Sequence, residues 1–100
     1  MSYKKLVIKS TAAIEIEEVI AYYAAINMTL ATKLEKEIRS SFLKIAKNPE
    51  SFQIRYKTIR VIWLKKFPYG VYYLFDSEEV YIMAFWSSRE DVPANIKKRF

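Results

Sequence analysis

The chain has no cysteine and no histidine, and a single glycine among its 100 residues. Without cysteine there is no disulfide and no thiolate chemistry, so packing alone must hold the fold, as is usual in a reducing cytoplasm. The lack of histidine excludes Ser-His and Cys-His nucleophile pairs, the HExxH zinc helix and the common general base of neutral pH. With Gly70 alone, GxGxxG and Walker A loops are excluded too, because their turns need several glycines to bring backbone amides up to phosphate. Dinucleotide enzymes, P-loop NTPases and histidine-dependent hydrolases are set aside on these grounds. No metal and no cofactor is expected: Glu15 and Glu18 suit a helix N-terminal dipole, and no aspartate or histidine completes a ligand set around them. No apolar run approaches the ~20 residues that cross a bilayer, and residues 1–9 lack the apolar stretch of a secretory signal. The expectation is one soluble, cytoplasmic domain over residues 1–100 with no membrane partner.

What the chain does have is apolar and basic. Apolar residues make up 52% and aromatics 16%, ample for a packed interior and contrary to disorder. The net charge of +6 is unevenly distributed. Residues 1–32 are neutral overall, residues 33–66 carry ten basic side chains against Glu35, Glu37 and Glu50, and residues 67–100 are slightly acidic. Charge clustered in a middle third is the footprint of a nucleic-acid or acidic-protein partner, and equally of a lysine-rich face kept for solubility.

Periodicity then supplies the elements. Residues 4–8 form a short strand closed by Ser10 and Thr11, either of which can cap a helix. Ile16, Val19, Ile20, Tyr23 and Ile26 recur at helical spacing, with Glu15, Glu17 and Glu18 near the helix start. Asn27, Met28 and Thr29 make a short turn with Thr29 as N-cap. Leu30, Leu34, Ile38, Phe42 and Ile45 then mark a second helix, packed antiparallel on the first. Asn48 and Pro49 stop it, since proline lacks a donor and disfavours the helical conformation before it. Three strands follow at residues 58–65, 69–75 and 80–86, separated by a corner at Phe67 and Pro68 and a polar turn at residues 76–79. After a loop at residues 87–92, a basic helical tail covers residues 93–100. The order β-α-α-β-β-β implies an α+β fold in which an antiparallel sheet packs one face on an N-terminal helical hairpin. Val61 and Trp63 point away from Arg60, Ile62 and Leu64, so one sheet face is covered and the other partly open.

Several segments in this order resemble the RelE/ParE superfamily, the toxins of bacterial type II toxin-antitoxin, or plasmid stabilisation, modules. They are Ser10-Thr11-Ala12-Ala13 leading into Ile16-Glu17-Glu18 and Tyr22-Tyr23; Ala46-Lys47-Asn48-Pro49-Glu50-Ser51-Phe52; Ile59-Arg60; Lys66-Phe67-Pro68-Tyr69 before Val71-Tyr72-Tyr73; and Ala84-Phe85-Trp86-Ser87-Ser88-Arg89. The resemblance implies a compact RelE/ParE-like fold, a cognate antitoxin that wraps it, and one of two activities: ParE-like poisoning of DNA gyrase or RelE-like cleavage of mRNA on the ribosome. Trp86 stands where many members carry a histidine, and no tyrosine follows Tyr81, which favours the ParE-like, non-nuclease side. A non-toxic binding module that keeps only the antitoxin groove is a third reading. A homodimer and a toxin-antitoxin hetero-oligomer are both compatible with it.

For the nuclease alternative, Arg60 and Arg89 are the catalytic candidates, because the resemblance places both near the open end of the sheet and cations must stabilise the phosphate. Arg60 also fits a structural role as a strand arginine paired nearby, and Arg89 a loop ion pair with Glu90 or Asp91. The partner-binding candidates are Lys57, Lys65, Lys66, Phe67, Tyr69 and Trp86. The lysines would meet an acidic amphipathic segment, and Phe67 and Tyr69 fit a core corner as well as a groove wall. Trp86 suits either a core position or an interface anchor. Tyr72, Tyr73 and Tyr81 could stack on bases, although burial against the helices accounts for them more simply. Gly70 marks a bulge or a close backbone approach.

Overall fold

The computed structural model describes residues 3–89 and 92–99. Strand β1, Lys5–Ile8, runs directly into helix α1, Ser10–Ile26. Lys9 N–H still donates to the Ile82 carbonyl at 3.0 Å, as in a ladder, while its own carbonyl accepts from Ala13 N–H at 2.9 Å and opens the helix. Ser10 and Thr11 therefore lie inside the first turn rather than capping it, and Lys9 holds the cap position without a side-chain bond. No acid falls in that first turn, so the three glutamates stand too far along the helix to complement its dipole as expected.

Helix α2, Met28–Lys47, starts one residue after α1 ends. The cap is Asn27 and not Thr29: its Oδ1 accepts from Thr29 N–H at 2.8 Å and Leu30 N–H at 3.4 Å. Its backbone N–H meanwhile donates to the Tyr23 carbonyl that closes α1. The α2 stripe is largely as the spacing implies, with Leu34, Ile38 and Ile45 buried and Phe42 packed beside them. Ile26, the last expected member of the α1 stripe, is exposed.

A 3-10 turn, Pro49–Ser51, follows the Asn48-Pro49 stop and leads into four strands: β2, Gln53–Tyr56; β3, Ile59–Trp63; β4, Tyr69–Phe75; and β5, Glu79–Ser87. The sheet order is β1-β5-β4-β3-β2. Strands β3 to β5 form the expected antiparallel meander, which β2 extends by one strand, but β1 joins β5 in parallel, so the whole sheet is mixed. The extra strand β2 escaped the periodicity because it is an edge strand with Gln53, Ile54 and Arg55 all exposed, which leaves no alternation to detect. Its turn into β3 puts Lys57 at a φ of 52°, in the left-handed region. Helix α3, Val92–Arg99, ends the described chain.

The sheet separates two apolar clusters. Ile62, Leu64, Val71, Tyr73, Val80, Ile82 and Phe85 face the helical hairpin, while Ile59, Val61, Tyr72, Ala84 and Trp86 face the other way and receive Ile96 of α3. An extra residue in β5 makes this division possible. The ladder pairs Tyr72 with Ala84 but Tyr73 with Ile82, so Met83 is a bulge and residues after it change face.

Beyond the bulge β5 has an open outer edge, because β1 ends with Ile8 opposite Ile82. Glu15 of α1 takes the place of a strand there. Its carboxylate accepts from Phe85 N–H at 3.1 Å, from Trp86 Nε1 at 2.7 Å and from Arg99 Nη1 and Nη2 at 3.2 and 2.7 Å. Arg99 also donates to the Met83 carbonyl at 3.1 Å and lies over the Trp86 ring at 5.0 Å.

Two further side chains fasten the 3-10 turn. Arg60 Nη1 donates to the carbonyls of Phe52 at 2.7 Å and Glu50 at 3.0 Å, and the buried Tyr73 hydroxyl donates to that of Pro49. At the β4–β5 turn, Asp76 accepts from Glu79 and Glu78 N–H, which holds its carboxyl below the usual range. Gly70 sits where a Cβ would come within 2.8 Å of the Trp63 ring and of Val61 Cγ2, the close approach its isolation in the sequence implies.

Gly70→Ala should therefore cost about 1–3 kcal/mol of stability through overpacking, read as a lower denaturant midpoint at unchanged slope. A second expectation concerns alkaline pH. Burial pushes the Tyr73 hydroxyl up to about 12, and hydrogen bonds to Glu79 and then Asp76 raise Tyr81 to about 12. Both groups hold their protons more tightly when folded, so their stabilisation is complete below the unfolded tyrosine value of about 10 and is lost as pH rises toward 12. Denaturation midpoints measured across that window should fall, and Tyr73→Phe should flatten the decline.

Candidate functional site

Five of the ten basic side chains of residues 33–66 line one cleft. Lys33, Lys36 and Lys44 recur along α2 at helical steps, and Lys65 and Lys66 follow the end of β3 on the opposite wall. Phe52, Ile62, Trp63 and Leu64 supply an apolar lining, and the cleft encloses about 710 Å³. Its one acid is Glu37, whose carboxylate accepts from the backbone N–H of Lys65 and of Lys66, each at 3.2 Å. Those two amides lie where the chain leaves the β3 ladder, so Glu37 supplies the partners that a strand would otherwise give. The registered pairs of β2 stop at Gln53 opposite Val61, which leaves the last turn of β3 around Trp63 open on the cleft side. An apolar floor between cationic walls beside a free strand edge suits an acidic, amphipathic polypeptide segment.

Of the residues expected at a partner surface, Lys65 and Lys66 line this cleft. Lys57 does not: it lies at the β2–β3 turn, with its Nζ 5.4 Å from the Tyr56 ring centre. Phe67 is buried and meets Tyr23 edge-on at 5.3 Å. Tyr69 stacks on Phe85 at 5.1 Å, and with Trp86 and Arg89 it borders a second depression of about 560 Å³ between α1 and the β4–β5 strands. Trp86 is buried, its ring nitrogen donating to Glu15.

The two arginines considered for catalysis do not converge. In β4 the partner of Arg60 is Tyr73 and the partner of Ser87 is Tyr69, four positions apart in the strand. At ~3.3 Å per residue that is about 13 Å before the turn to Arg89 adds more. Arg60 moreover lies on the helix side of the sheet, its guanidinium bound to main-chain carbonyls and 5.6 Å from the Phe75 ring centre. Arg89 is exposed, and its backbone N–H donates to Ser87 Oγ at 3.1 Å. The acids named as its ion-pair partners, Glu90 and Asp91, lie outside the described residues, as does the end of the tail at Phe100. Tyr72 and Tyr73 are fully buried, so neither offers a face for base stacking. Among the described residues no cluster of three or more His, Cys, Asp or Glu is placed to hold a metal ion, and no helix is long and apolar enough to cross a membrane.

Sequence reasoning counted Lys33, Lys36 and Lys44 as charge but did not join them into a wall, nor did it include Trp63 or Glu37. The signal was present in the lysines' helical spacing, on a flank of α2 away from Leu34 and Ile38.

Residues 6–92 match the family described as "ParE toxin of type II toxin-antitoxin system, parDE". Among solved structures, a chain of the "Chromosomal ParDE TA system from P. aeruginosa" superposes with a TM-score of 0.72 at 16% identity, covering 85% of this chain and 96% of that one. At so low an identity the likeness concerns the fold. No curated protein sequence matches the chain. With a family match over nearly its whole length and the helical hairpin, meander and parallel β1 in place, the chain belongs to the ParE toxin family of type II toxin-antitoxin systems.

Proposed function

We propose that the chain is a cytoplasmic toxin that inhibits DNA gyrase and is neutralised by a cognate antitoxin, an acidic amphipathic segment of which occupies the cleft between α2 and β3. The observation that carries the reading is the family match over residues 6–92, taken with the separation of Arg60 from Arg89. General acid-base cleavage of RNA needs proton-transfer groups and phosphate-stabilising cations within hydrogen-bond reach of one another. This chain has no histidine, and its two arginine candidates sit apart, one of them engaged in holding the 3-10 turn. Action by binding a macromolecular target fits such a surface better than action by chemistry. Plasmid or chromosome maintenance would follow from the pairing of toxin and antitoxin.

In a supercoiling assay, purified toxin should halt gyrase and accumulate cleaved DNA. Unimpaired supercoiling together with codon-positioned cuts in translated message would replace this reading with the RelE-like one. An inert protein that still binds the antitoxin tightly would identify a module that has kept only its groove. The cleft generates its own expectation. Reversing charge at Lys65 and Lys66 together should slow association with the cognate antitoxin by about tenfold at low salt and make the rate less salt-dependent. Unchanged kinetics would locate the antitoxin on another surface.

A further inference from the structure

The helical hairpin carries most of the large apolar side chains that the described residues leave in solvent, and two of them, Ile14 and Leu43, stand on its outer face, turned away from the sheet. Ile14, Tyr22 and Ile26 of α1 and Met28 and Leu43 of α2 are each more than half exposed. In α1 only Ala12 is fully buried, although the helix is apolar around most of its circumference, a composition ordinarily found in helices covered on several sides. Stepping outward along α1 at three and four residues gives Ile14, Glu18, Ala21 and Ala25, with Glu17 beside them. The outward steps of α2, opposite buried Leu34, Ile38 and Ile45, give Thr32, Lys36, Arg39 and Leu43. One plane thus carries an acidic, apolar column next to a basic, apolar one.

Asn27 aligns the two columns. Glu18 precedes it by as many residues as Lys36 follows it, so the antiparallel helices bring these two level and set Ile14 within a turn of Leu43. We propose that this face is a self-association surface, on which a second copy of the chain seats about a two-fold axis parallel to the helices, α1 of each copy lying on α2 of the other. That axis keeps the levels matched, so Glu17 and Glu18 meet Lys36 and Arg39 of the other copy, Ile14 meets Leu43, and each contact occurs twice. An axis across the helices would lay acid on acid. The occupant is a second copy because the face carries its own complement in charge and in apolar position. Two helices about 25 Å long offer roughly 500 Å² from each copy, at the low end for a specific and reversible interface. Arg39 does not border the antitoxin cleft, so dimerisation can be tested without disturbing that site.

Sedimentation equilibrium of the full chain over roughly 1 to 200 µM should show a reversible dimer that weakens with salt. Glu18→Arg and Arg39→Glu should each weaken it by about tenfold, and the double variant should regain most of the loss. Leu43→Gln should weaken it without rescue by either charge change, and circular dichroism should show every variant folded. A wild-type chain that stays monomeric throughout, a dimer indifferent to both charge changes, or hairpin amides that gain protection from exchange only when antitoxin is added would overturn the proposal.

Discussion

The carboxylate of Glu15 joins three elements that the backbone ladders leave separate. A β-bulge is useful here because it turns Trp86 and Ala84 to the second face of the sheet, but it also strands backbone groups at an edge that β1 is too short to cover. Each buried and unpaired amide would cost about 1–3 kcal/mol. Glu15 takes the Phe85 amide and the Trp86 ring nitrogen, and Arg99 takes the Met83 carbonyl while neutralising Glu15. The side chains of the pair are 20% and 28% exposed, so the charges are shielded but not wholly desolvated, and the several hydrogen bonds matter more than the bare Coulomb attraction. Helix α3 is too short to be stable alone, and this contact and Ile96 secure it over the second apolar cluster.

The same economy governs the basic residues. The excess of positive charge in the middle third divides between interior and exterior tasks. Arg60 binds main-chain carbonyls under the 3-10 turn, and the backbone, not the side chains, of Lys65 and Lys66 engages Glu37. The lysine ammonium groups along α2 and after β3 are left facing a cleft with an apolar floor. Because backbone amides satisfy the hydrogen bonds of Glu37, no lysine side chain is consumed in doing so, and the lysines of that cleft outnumber its one carboxylate.

Much of the fold was legible because burial writes itself into spacing. The α2 stripe, the Asn48-Pro49 stop and the β4 and β5 runs all follow from the periods of helix and strand, but the β3 face read as partly open is covered instead, with Ile59 and Val61 buried in the second cluster that Ile96 of α3 completes. What escaped had no periodic signature. Strand β2 is exposed at Gln53, Ile54 and Arg55, and the parallel pairing of β1 with β5, last strand of the meander, joins segments some seventy residues apart. The caps were misassigned by one or two positions because Ser10, Thr11, Asn27 and Thr29 are all competent caps; sheet pairing at Lys9 fixed the first, and the one-residue link between the helices put Asn27 at the second. The residues of the cleft were legible only as charge. Lys65 and Lys66 stood out because they are adjacent, whereas Lys33, Lys36 and Lys44 line the same cleft only once the helix is folded. Glu15 could not be assigned at all from local sequence, since its partners lie some seventy and more residues away.

Asn27 is the whole connection between two helices of 17 and 20 residues. Its amide finishes one and its side chain begins the other, so the joint has no slack to absorb a change in length. Adding one residue there would spin α2 against α1 by ~100°. Such a twist would drag the lysine wall out of the cleft and slide polar side chains under the sheet in a single step. In this small toxin the hinge acts as a phase lock, setting which way every cation on the second helix looks.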